Sequence, residues 1–371
     1  MCRLWSESVK ICAVRGYLCL FVAAGKDIFI IFTGKTEYNV RLKVAIVILN
    51  WNGEDHLRRF LPSVVRYTTE PYARIVVADN GSTDGSLTML KERFPEVEVV
   101  ELDRNYGFAG GYNRALERIE ADLFLLLNSD VEVTCGWLAP LVERIVSDER
   151  IAAVMPKIRS YAEREMFEYA GAAGGLMDPL GYPYCRGRVL SRVERDMGQY
   201  DDACEIFWAS GAAMLVRADL FRSLGGFDDD YFAHMEEIDL CWRAKNTGMS
   251  VWVEPRSTVY HLGGGTLSAE SPYKLFLNFR NNLATLFKNL PSWWLIPVIF
   301  VRMCADGAVG AGYFLSGRFS RFAAVVKAHA AFYGMIRALM RKRRMLPHPD
   351  GRPVGMSRGL LAFKTFRGLC R

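Results

Sequence analysis

Between residues 44 and 130 the chain repeats one pattern: a short apolar run, a polar loop and then a stretch with helical spacing. Continuous apolar runs of this length are typical of strands that are buried on both faces of a sheet. The runs lie at 44–49, 73–78, 97–102 and 122–127, and the helical patterns at 57–65, up to about 94 and at 107–120. This alternation predicts an α/β domain with a largely parallel sheet.

Polar residues stand directly after these predicted strands. In open parallel sheets, ligands bind where the carboxyl ends of the strands meet the loops. The loops here contain Asn50, Asp79, Asn80, Asp84 and Asp130. Their placement is the first indication of a binding site.

The composition excludes several classes of protein, and the charge divides the chain. With 371 residues, 51% of them hydrophobic and 24% charged, the chain is neither disordered nor collagen-like, and it is too large for a small disulfide-stapled scaffold.

The net charge of +6 is unevenly distributed along the chain. Residues 318–371 contain 13 Lys or Arg and one acid, which gives +12 there and −6 over the rest of the chain. The tail therefore requires an anionic partner, either a lipid surface or a nucleic acid.

A membrane surface is the favoured partner. Apolar residues recur at helical spacing between 325 and 340, and four cations follow at 341–344, as in amphipathic helices that lie in the lipid interface. The alternative is a packing helix with a solvated charged end. No nucleic-acid partner is expected, since the tail lacks interleaved stacking motifs and the body is acidic.

The cysteines and the first residues bear on location. None of the nine cysteines forms a Cys-x-x-Cys pair, which argues against structural zinc or a disulfide framework and indicates a reducing compartment. We expect residues 1–41 to be an extension that lies outside the folded domain. Two glycine-containing segments resemble phosphate-binding loops but do not match them. Residues 34–36 (GKT) lack the earlier glycine of a P-loop, and residues 107–111 (GFAGG) do not have the glycine spacing of a dinucleotide-binding motif.

Three sets of residues could carry chemistry, each with a structural alternative. Asp130 could bind Mg²⁺ together with phosphate oxygens, or serve as a turn or helix cap. The acids at 236–239 could include a general base, or only complement a helix N-terminus. His261, before three glycines, could face a phosphate or be a structural histidine.

Seven motifs follow one another over about two thirds of the chain, from 42 to 289. They are 44–53 (VAIVILNWNG), 77–84 (VADNGSTD), 105–113 (NYGFAGGYN), 127–130 (LNSD), 225–228 (GGFD), 236–243 (EEIDLCWR) and 261–266 (HLGGGT). Together they resemble the inverting nucleotide-sugar glycosyltransferases of family 2, in the rhamnosyltransferase-like subgroup. The resemblance implies a GT-A fold, with a helical and partly amphipathic C-terminal extension here.

The resemblance also implies roles for individual residues. The donor site would include Asn50, Trp51 and Asp79 at the uracil or thymine and ribose, with Asn80, Asn105, Gly110, Gly111 and Asn113 toward the diphosphate. Asn128-Ser129-Asp130 corresponds to the family's Asp-x-Asp motif, so Asp130, with His261, would bind Mg²⁺ or Mn²⁺. Trp208, Ser210 and Gly211 would line the acceptor pocket.

The chain departs from the family pattern at two positions. Asn128 replaces the first Asp of the metal motif, and Glu237 replaces the usual Asp of the acidic motif. Glu237 is the first candidate for the base, followed by Asp239 and then Glu236. The departures also leave open a catalytically inactive glycosyltransferase-like scaffold subunit as the alternative function.

We expect three segments: the extension 1–41, a GT-A domain at 42–290 and a membrane-associated helical segment with the basic tail at 291–371. The expected reaction moves a sugar from a UDP- or dTDP-sugar to a hydroxyl of a glycan or lipid-linked acceptor, with inversion. The expected location is the cytoplasmic face of the cell membrane.

Overall fold

The computed structural model describes residues 42–263 and 271–360, together with the backbone of four strands nearer the N-terminus. Those strands, β1 (Val9–Val14), β2 (Tyr17–Ala24), β3 (Asp27–Phe32) and β4 (Glu37–Val40), form an antiparallel sheet of their own. Three features named above lie outside the described residues: the 34–36 pattern, the 264–266 end of the last motif and the 361–371 end of the tail.

The rest of the described chain alternates strands and helices. The strands are β5 (Val44–Asn50), β6 (Ala73–Asp79), β7 (Glu98–Glu101), β8 (Leu123–Asn128), β9 (Val131–Val133), β10 (Ile151–Ser160), β11 (Gly175–Met177), β12 (Pro183–Cys185), β13 (Arg188–Val189), β14 (Arg192–Val193), β15 (Cys204–Ile206), β16 (Ala213–Arg217) and β17 (Ser250–His261). The helices are α1 (Glu54–Tyr67), α2 (Ser86–Arg93), α3 (Gly107–Glu117), α4 (Leu138–Val146), α5 (Ala218–Ser223), α6 (Glu236–Asn246), α7 (Pro272–Asn289), α8 (Ser292–Leu315) and α9 (Phe319–Arg344). A 3₁₀ turn covers Asp229–Tyr231.

The main sheet has the strand order β15-β17-β10-β16-β8-β5-β6-β7, and β9 pairs with β17. Strands β8, β5, β6 and β7 are parallel, which confirms the predicted α/β class and its four strands to within two residues at either end. β16 enters antiparallel between β8 and β10, so the sheet is mixed. The parallel register sets Asn50 beside Asp79 and Leu49 beside Asn128.

The two central strands are buried along almost their whole length, as their uninterrupted apolar sequences require. Helix α1 contacts β9 and buries Leu57, Leu61 and Val64 in the same hydrophobic core as these strands.

Helices α7, α8 and α9 pack against one another at the C-terminal end of the described chain. Polar contacts attach them to the sheet-bearing part. Lys288 of α7 lies 2.5 Å from Asp228, which also bonds Lys342 of α9. In α8, Arg302 pairs with Asp306 at 2.9 Å and donates to the Asn282 side chain, and all three residues are buried.

Candidate active site

Asn50 and Asp79 form a buried pair at the carboxyl ends of β5 and β6. Asn50 Nδ2 donates to Asp79 Oδ2 at 3.1 Å, and Asp79 Oδ1 accepts from the backbone N–H of Ser82 at 2.8 Å. Asn50 Oδ1 is buried without a hydrogen-bond partner among the described residues, and the adjacent Trp51 is 47% exposed. The pair therefore presents a free acceptor oxygen beside an accessible aromatic ring.

Asn80 and Asn105 organise the loop that leads into α3. Asn80 Nδ2 donates to Asn105 Oδ1 at 3.1 Å and to the carbonyl of Gly107 at 3.0 Å, and Asn80 Oδ1 accepts from the Tyr106 N–H. Asn105 Oδ1 also accepts from the Gly107 N–H. Since these amides bond mainly to the loop itself, they fix its shape.

Gly110, Gly111 and Asn113 lie inside helix α3, within the helical pattern predicted at 107–120. A Cβ on Gly111 would stand 3.0 Å from Leu49 and 2.9 Å from the Asn80 amide, so glycine permits the close approach of α3 to β5. Asn113 bonds the backbone of Phe227 through both its amide nitrogen and its amide oxygen. The structure thus gives Gly111 and Asn113 packing contacts.

Asp130 and His261 meet because β9, which follows Asp130, pairs with the end of β17. His261 Nε2 lies 3.1 Å from Asp130 Oδ1 and 3.5 Å from the Asn128 amide nitrogen. On its other side, His261 Nδ1 lies 3.5 Å from Glu168 Oε1, and all three charged side chains are buried. Ser129 is partly exposed beside Gly53.

The electrostatics of this group keep the carboxylate ionised. Burial opposes ionisation of Asp130, but the hydrogen bond and charge of His261 outweigh it and hold the pKa of Asp130 below its usual value. Burial likewise disfavours the charged imidazole, yet Asp130 and Glu168 together raise the pKa of His261 to about 10.

The described residues contain no cluster of three or more His, Cys, Asp or Glu side chains arranged to hold a metal ion. The residues nevertheless fit a divalent cation that takes most of its ligands from a diphosphate, because Mg²⁺ needs only one or two protein carboxylates. Because Asp130 and Glu168 raise the pKa of His261 to about 10, its imidazole is protonated near neutral pH and has to lose a proton before Nε2 can bind a metal ion.

Glu236 and Glu237 begin helix α6. Glu236 is 4% exposed, and both side chains have a buried Oε2 without a hydrogen-bond partner in the described part of the chain. Burial raises the pKa of Glu237 to about 7, partly offset by backbone N–H groups of Met235–Ile238. Burial, and then the charge of Glu237, raise the pKa of Glu236.

Asp239 has a different environment on the same helix. It is fully buried, and its carboxylate accepts from Arg243 Nε at 2.8 Å, Lys288 Nζ at 2.9 Å and Asn289 Nδ2 at 2.8 Å. Burial alone would raise its pKa, but the two cations lower it. With both oxygens bonded to buried partners, Asp239 ties α6 to α7.

Of the three residues expected at the acceptor pocket, two are buried with partners of their own and one lies beside Glu237. Trp208 is buried, its ring packs on Gly175, and Nε1 donates to the Leu176 carbonyl at 2.9 Å. Ser210 is buried and donates to the Ala170 carbonyl. Gly211 lies next to Phe108 and to the Cβ of Glu237. Gly211 is thus the member of the three that lies beside the acidic motif.

The sequence did not single out Glu168. Its only signal was a position just before the glycine cluster at 171–175, which gives no reason to expect contact with His261 93 residues later. The contact arises because the chain between Ser160 and Met166 turns back beside the end of β17.

The chain is similar in sequence to one protein family and to several known proteins. Residues 45–225 match the model of the glycosyl transferase family 2. An N-acetylglucosaminyl-diphospho-decaprenol L-rhamnosyltransferase of Mycobacterium tuberculosis is 27% identical over 270 residues, which cover 68% of this chain and 87% of that protein.

Two solved structures share the fold. GalNAc-T7 with UDP, GalNAc and Mn²⁺ has a TM-score of 0.54 and 20% identity; the match covers 68% of this chain and 49% of GalNAc-T7, about half its length. The mannosyltransferase PcManGT of Pyrobaculum calidifontis, with GDP-Man and Mn²⁺, has a TM-score of 0.51 and 15% identity over 79% of this chain and 88% of PcManGT. Residues 45–225 therefore form a glycosyl transferase family 2 domain, and the chain is a glycosyltransferase with the GT-A fold.

Proposed function

We propose that the enzyme transfers a sugar from a UDP- or dTDP-sugar to a hydroxyl group of a lipid-linked glycan, with inversion at the anomeric carbon. The observation that carries the proposal is that the segment 211–212 links two features. The Ala212 carbonyl accepts from the Asn128 N–H at the end of β8, and Gly211 lies beside Glu237, whose buried Oε2 has no hydrogen-bond partner among the described residues. The rhamnosyltransferase relative, whose name specifies a diphospho-decaprenol acceptor, supports the lipid-linked class.

The donor base would bind at Asn50 and Trp51. Uracil and thymine both carry an N–H that could donate a hydrogen bond to Asn50 Oδ1 once the loop after β5 moves to uncover this buried oxygen. The exposed Trp51 ring offers a flat surface for stacking. Asp79 fixes the Asn50 amide so that its oxygen, not its nitrogen, stays free.

Asp130, His261 and the Asn128 amide would hold Mg²⁺ or Mn²⁺ together with the donor diphosphate. When bound, the cation would act as a Lewis acid that stabilises charge on the departing nucleoside diphosphate. The contribution of the chain is an ionised Asp130 whose neighbours His261 and Glu168 set its orientation.

Glu237 would accept the proton of the attacking acceptor hydroxyl. Its raised pKa, near neutrality, suits a general base, which contributes about 10²–10⁴-fold in rate. Attack from the face opposite the leaving group inverts the anomeric configuration. Asp239 is the weaker candidate, because Arg243 and Lys288 occupy its carboxylate.

A substitution of Glu237 tests this proposal. Glu237→Gln removes the base and nearly preserves the shape, so transfer of radiolabelled sugar from dTDP-L-rhamnose or UDP-sugars to polyprenyl-diphosphate N-acetylglucosamine should fall by at least about 100-fold. Binding of dTDP and UDP with Mn²⁺ should change little in calorimetry. Asp219→Asn, an exposed acid in the first turn of α5, is the control for a general helix-terminus effect. Full turnover in Glu237→Gln would refute the assignment.

We further propose that the outer face of α8 contacts the membrane. Both α8 and α9 are long and apolar enough to cross a bilayer, by length and composition. The two charged residues of α8, Arg302 and Asp306, are buried. The exposed large side chains of α8 are all apolar: Trp293, Ile296, Phe300, Val301, Val309, Phe314 and Leu315.

The basic tail contributes less charge to this surface than its sequence suggests. Lys342 bonds Asp228 and Asp230, and Arg343 donates to the Phe287 carbonyl at 2.8 Å, so these two cations hold α9 in place. Arg337, Arg341 and Arg344 of α9 remain exposed. Exposed cations beside an apolar face complement an anionic lipid leaflet.

Vesicle sedimentation of the full chain tests the surface. The protein should bind phosphatidylglycerol vesicles more strongly than phosphatidylcholine vesicles, and the double substitution Ile296→Glu, Phe300→Glu should weaken binding at least about tenfold, since each buried apolar side chain contributes about 1.5–3 kcal/mol. Met197→Glu, at an apolar residue that is 82% exposed elsewhere on the molecule, is the matched control. Equal sedimentation of the double variant and the control would overturn the assignment of α8.

A further inference from the structure

The turn between the 3₁₀ turn and α6 has an unusual backbone. Phe232, His234 and Met235 have φ angles of 63°, 69° and 76°, in the left-handed region that side chains other than glycine rarely adopt. Such conformations persist only where surrounding contacts enforce them, and they concentrate at functional sites. This turn ends at Met235, directly before Glu236 and Glu237.

The Asn281 side chain, on α7, supplies those contacts. Asn281 is fully buried, and its Nδ2 lies 3.1 Å from the Tyr231 carbonyl, 2.9 Å from that of Ala233 and 2.8 Å from that of His234. The two N–H groups of one amide therefore serve three carbonyls within residues 231–234. Without this donor the Ala233 and His234 carbonyls would lose a partner, whereas the Tyr231 carbonyl still accepts from Arg280 and from the Ala233 N–H.

A neighbouring residue orients the amide. Arg280 Nε donates to Asn281 Oδ1 at 2.8 Å, so the nitrogen of the amide must face the turn. Arg280 Nη2 also donates to the Asp230 carbonyl at 2.9 Å. The two residues of α7 thus bind the backbone just before and within the strained segment.

The same turn connects both halves of the site. The Phe232 carbonyl accepts from the Phe108 N–H at 2.7 Å at the start of α3, next to the loop organised by Asn80 and Asn105. Its other end sets where α6 begins, and hence where Glu237 stands relative to Gly211. A shift of this turn would move the carboxyl group of Glu237 with respect to the donor-side loops.

We infer that Asn281 is a positioning residue that holds the 231–235 turn in its left-handed form and thereby places the carboxyl group of Glu237 for proton transfer. The inference rests on the proposed role of Glu237. A misplacement of the base lowers the rate of the chemical step and leaves ground-state binding of the donor nearly unchanged.

Asn281→Leu, which keeps the volume and removes the amide, tests this in the full-length enzyme. We expect kcat to fall about 10–100-fold, a part of what a general base contributes, with KM for the sugar donor and calorimetric affinity for UDP and dTDP with Mn²⁺ within threefold. Asn246→Leu is the matched control: Asn246 is a buried asparagine that donates to the Asn289 carbonyl at 3.2 Å at the far end of α6. It should lose thermal stability but keep kcat.

Two results would overturn the inference: equal losses of kcat in both variants at equal loss of stability, or a loss of nucleotide affinity in Asn281→Leu as large as its loss of kcat. If Asn281→Leu does not fold, Asn281→Ser, which keeps one donor, replaces it with the same two criteria. Turnover is followed both as transfer and as hydrolysis of the donor.

A double-substitution cycle separates this inference from the proposed function. If Asn281 acts through Glu237, the effect of Asn281→Leu on kcat should shrink at least threefold when Glu237→Asp is already present. Independent, multiplicative effects contradict the positioning role. Retained turnover in Glu237→Gln would instead refute the base itself, whatever Asn281→Leu shows.

Discussion

The buried charges between α6, α7 and α9 allow a sharp test of what holds the C-terminal helices to the catalytic part. Lys288 Nζ lies 2.5 Å from Asp228 and 2.9 Å from Asp239, and it is 2% exposed. Lys288→Met keeps the length of the side chain and removes its charge. The substitution leaves two buried carboxylates with one cation fewer between them.

The expected loss of stability follows from the partners that remain. Removing one member of a buried ion pair costs about 3–5 kcal/mol. Lys342 still bonds Asp228, and Arg243 still bonds Asp239, so we expect the lower end, about 3 kcal/mol. With a denaturant dependence of about 3 kcal/mol per M, the urea midpoint should fall by about 1 M.

The pH dependence of the free energy of unfolding provides a second test of the same ion pairs. Burial opposes ionisation of Asp228, but Lys288 and then Lys342 outweigh it and lower its pKa to about 2, from 3.8. Because the folded pKa is depressed, this carboxylate stabilises the fold above about pH 4, and that stability is lost as pH falls toward 2. In Lys288→Met the pKa of Asp228 should rise toward its unfolded value, so the free energy of unfolding should fall less between pH 4 and pH 2 than in the unsubstituted protein.

Urea unfolding at several pH values, followed by tryptophan fluorescence, measures both effects. Lys91→Met is the control, because Lys91 lies 4.0 Å from Glu101 on the surface and should change the free energy of unfolding by less than about 1 kcal/mol. A loss below 1 kcal/mol in Lys288→Met, or an unchanged acid transition, would refute the view that these charges hold the helices in place.

Two further predictions concern catalysis. Since burial raises the pKa of Glu237 to about 7 and a base acts when deprotonated, kcat/KM should rise with pH through about 7 and level off above it; a profile that is flat from pH 5 to 8 would count against Glu237. Asp130→Ala should weaken calorimetric binding of UDP or dTDP in the presence of Mn²⁺ and have a smaller effect in its absence. An unchanged affinity with Mn²⁺ would argue against Asp130 as a metal ligand.

The sequence predicted the part of the fold that local patterns determine. Strands β5, β6 and β8 are continuous apolar runs, so their ends, and with them Asn50 and Asp79, could be placed on one edge of a sheet from the sequence alone. The loops that hold Trp51 and Asp130 follow from the same strands. These features need only strand length and the geometry of parallel sheets.

Features that depend on distant partners could not be predicted in this way. Asp239 looked like a candidate base because it stands among acids, and its partners Lys288 and Asn289 come from a helix that begins more than 30 residues later. The cations of α9 looked uniformly available to an anionic surface, although Lys342 reaches back to Asp228. Net charge along a sequence does not show which charges are paired within the fold.

Two carboxyl groups of the site have their pKa values moved in opposite directions. His261 keeps Asp130 ionised, as a group that binds a cation requires, whereas burial brings the pKa of Glu237 to about 7, as a base working near neutrality requires. Glu237 replaces a shorter acid of the family pattern, but its environment is that of a base. If Glu237 is the base, as proposed, the longer side chain extends the reach of the carboxyl group by one methylene, and its position then depends on the turn that Asn281 binds.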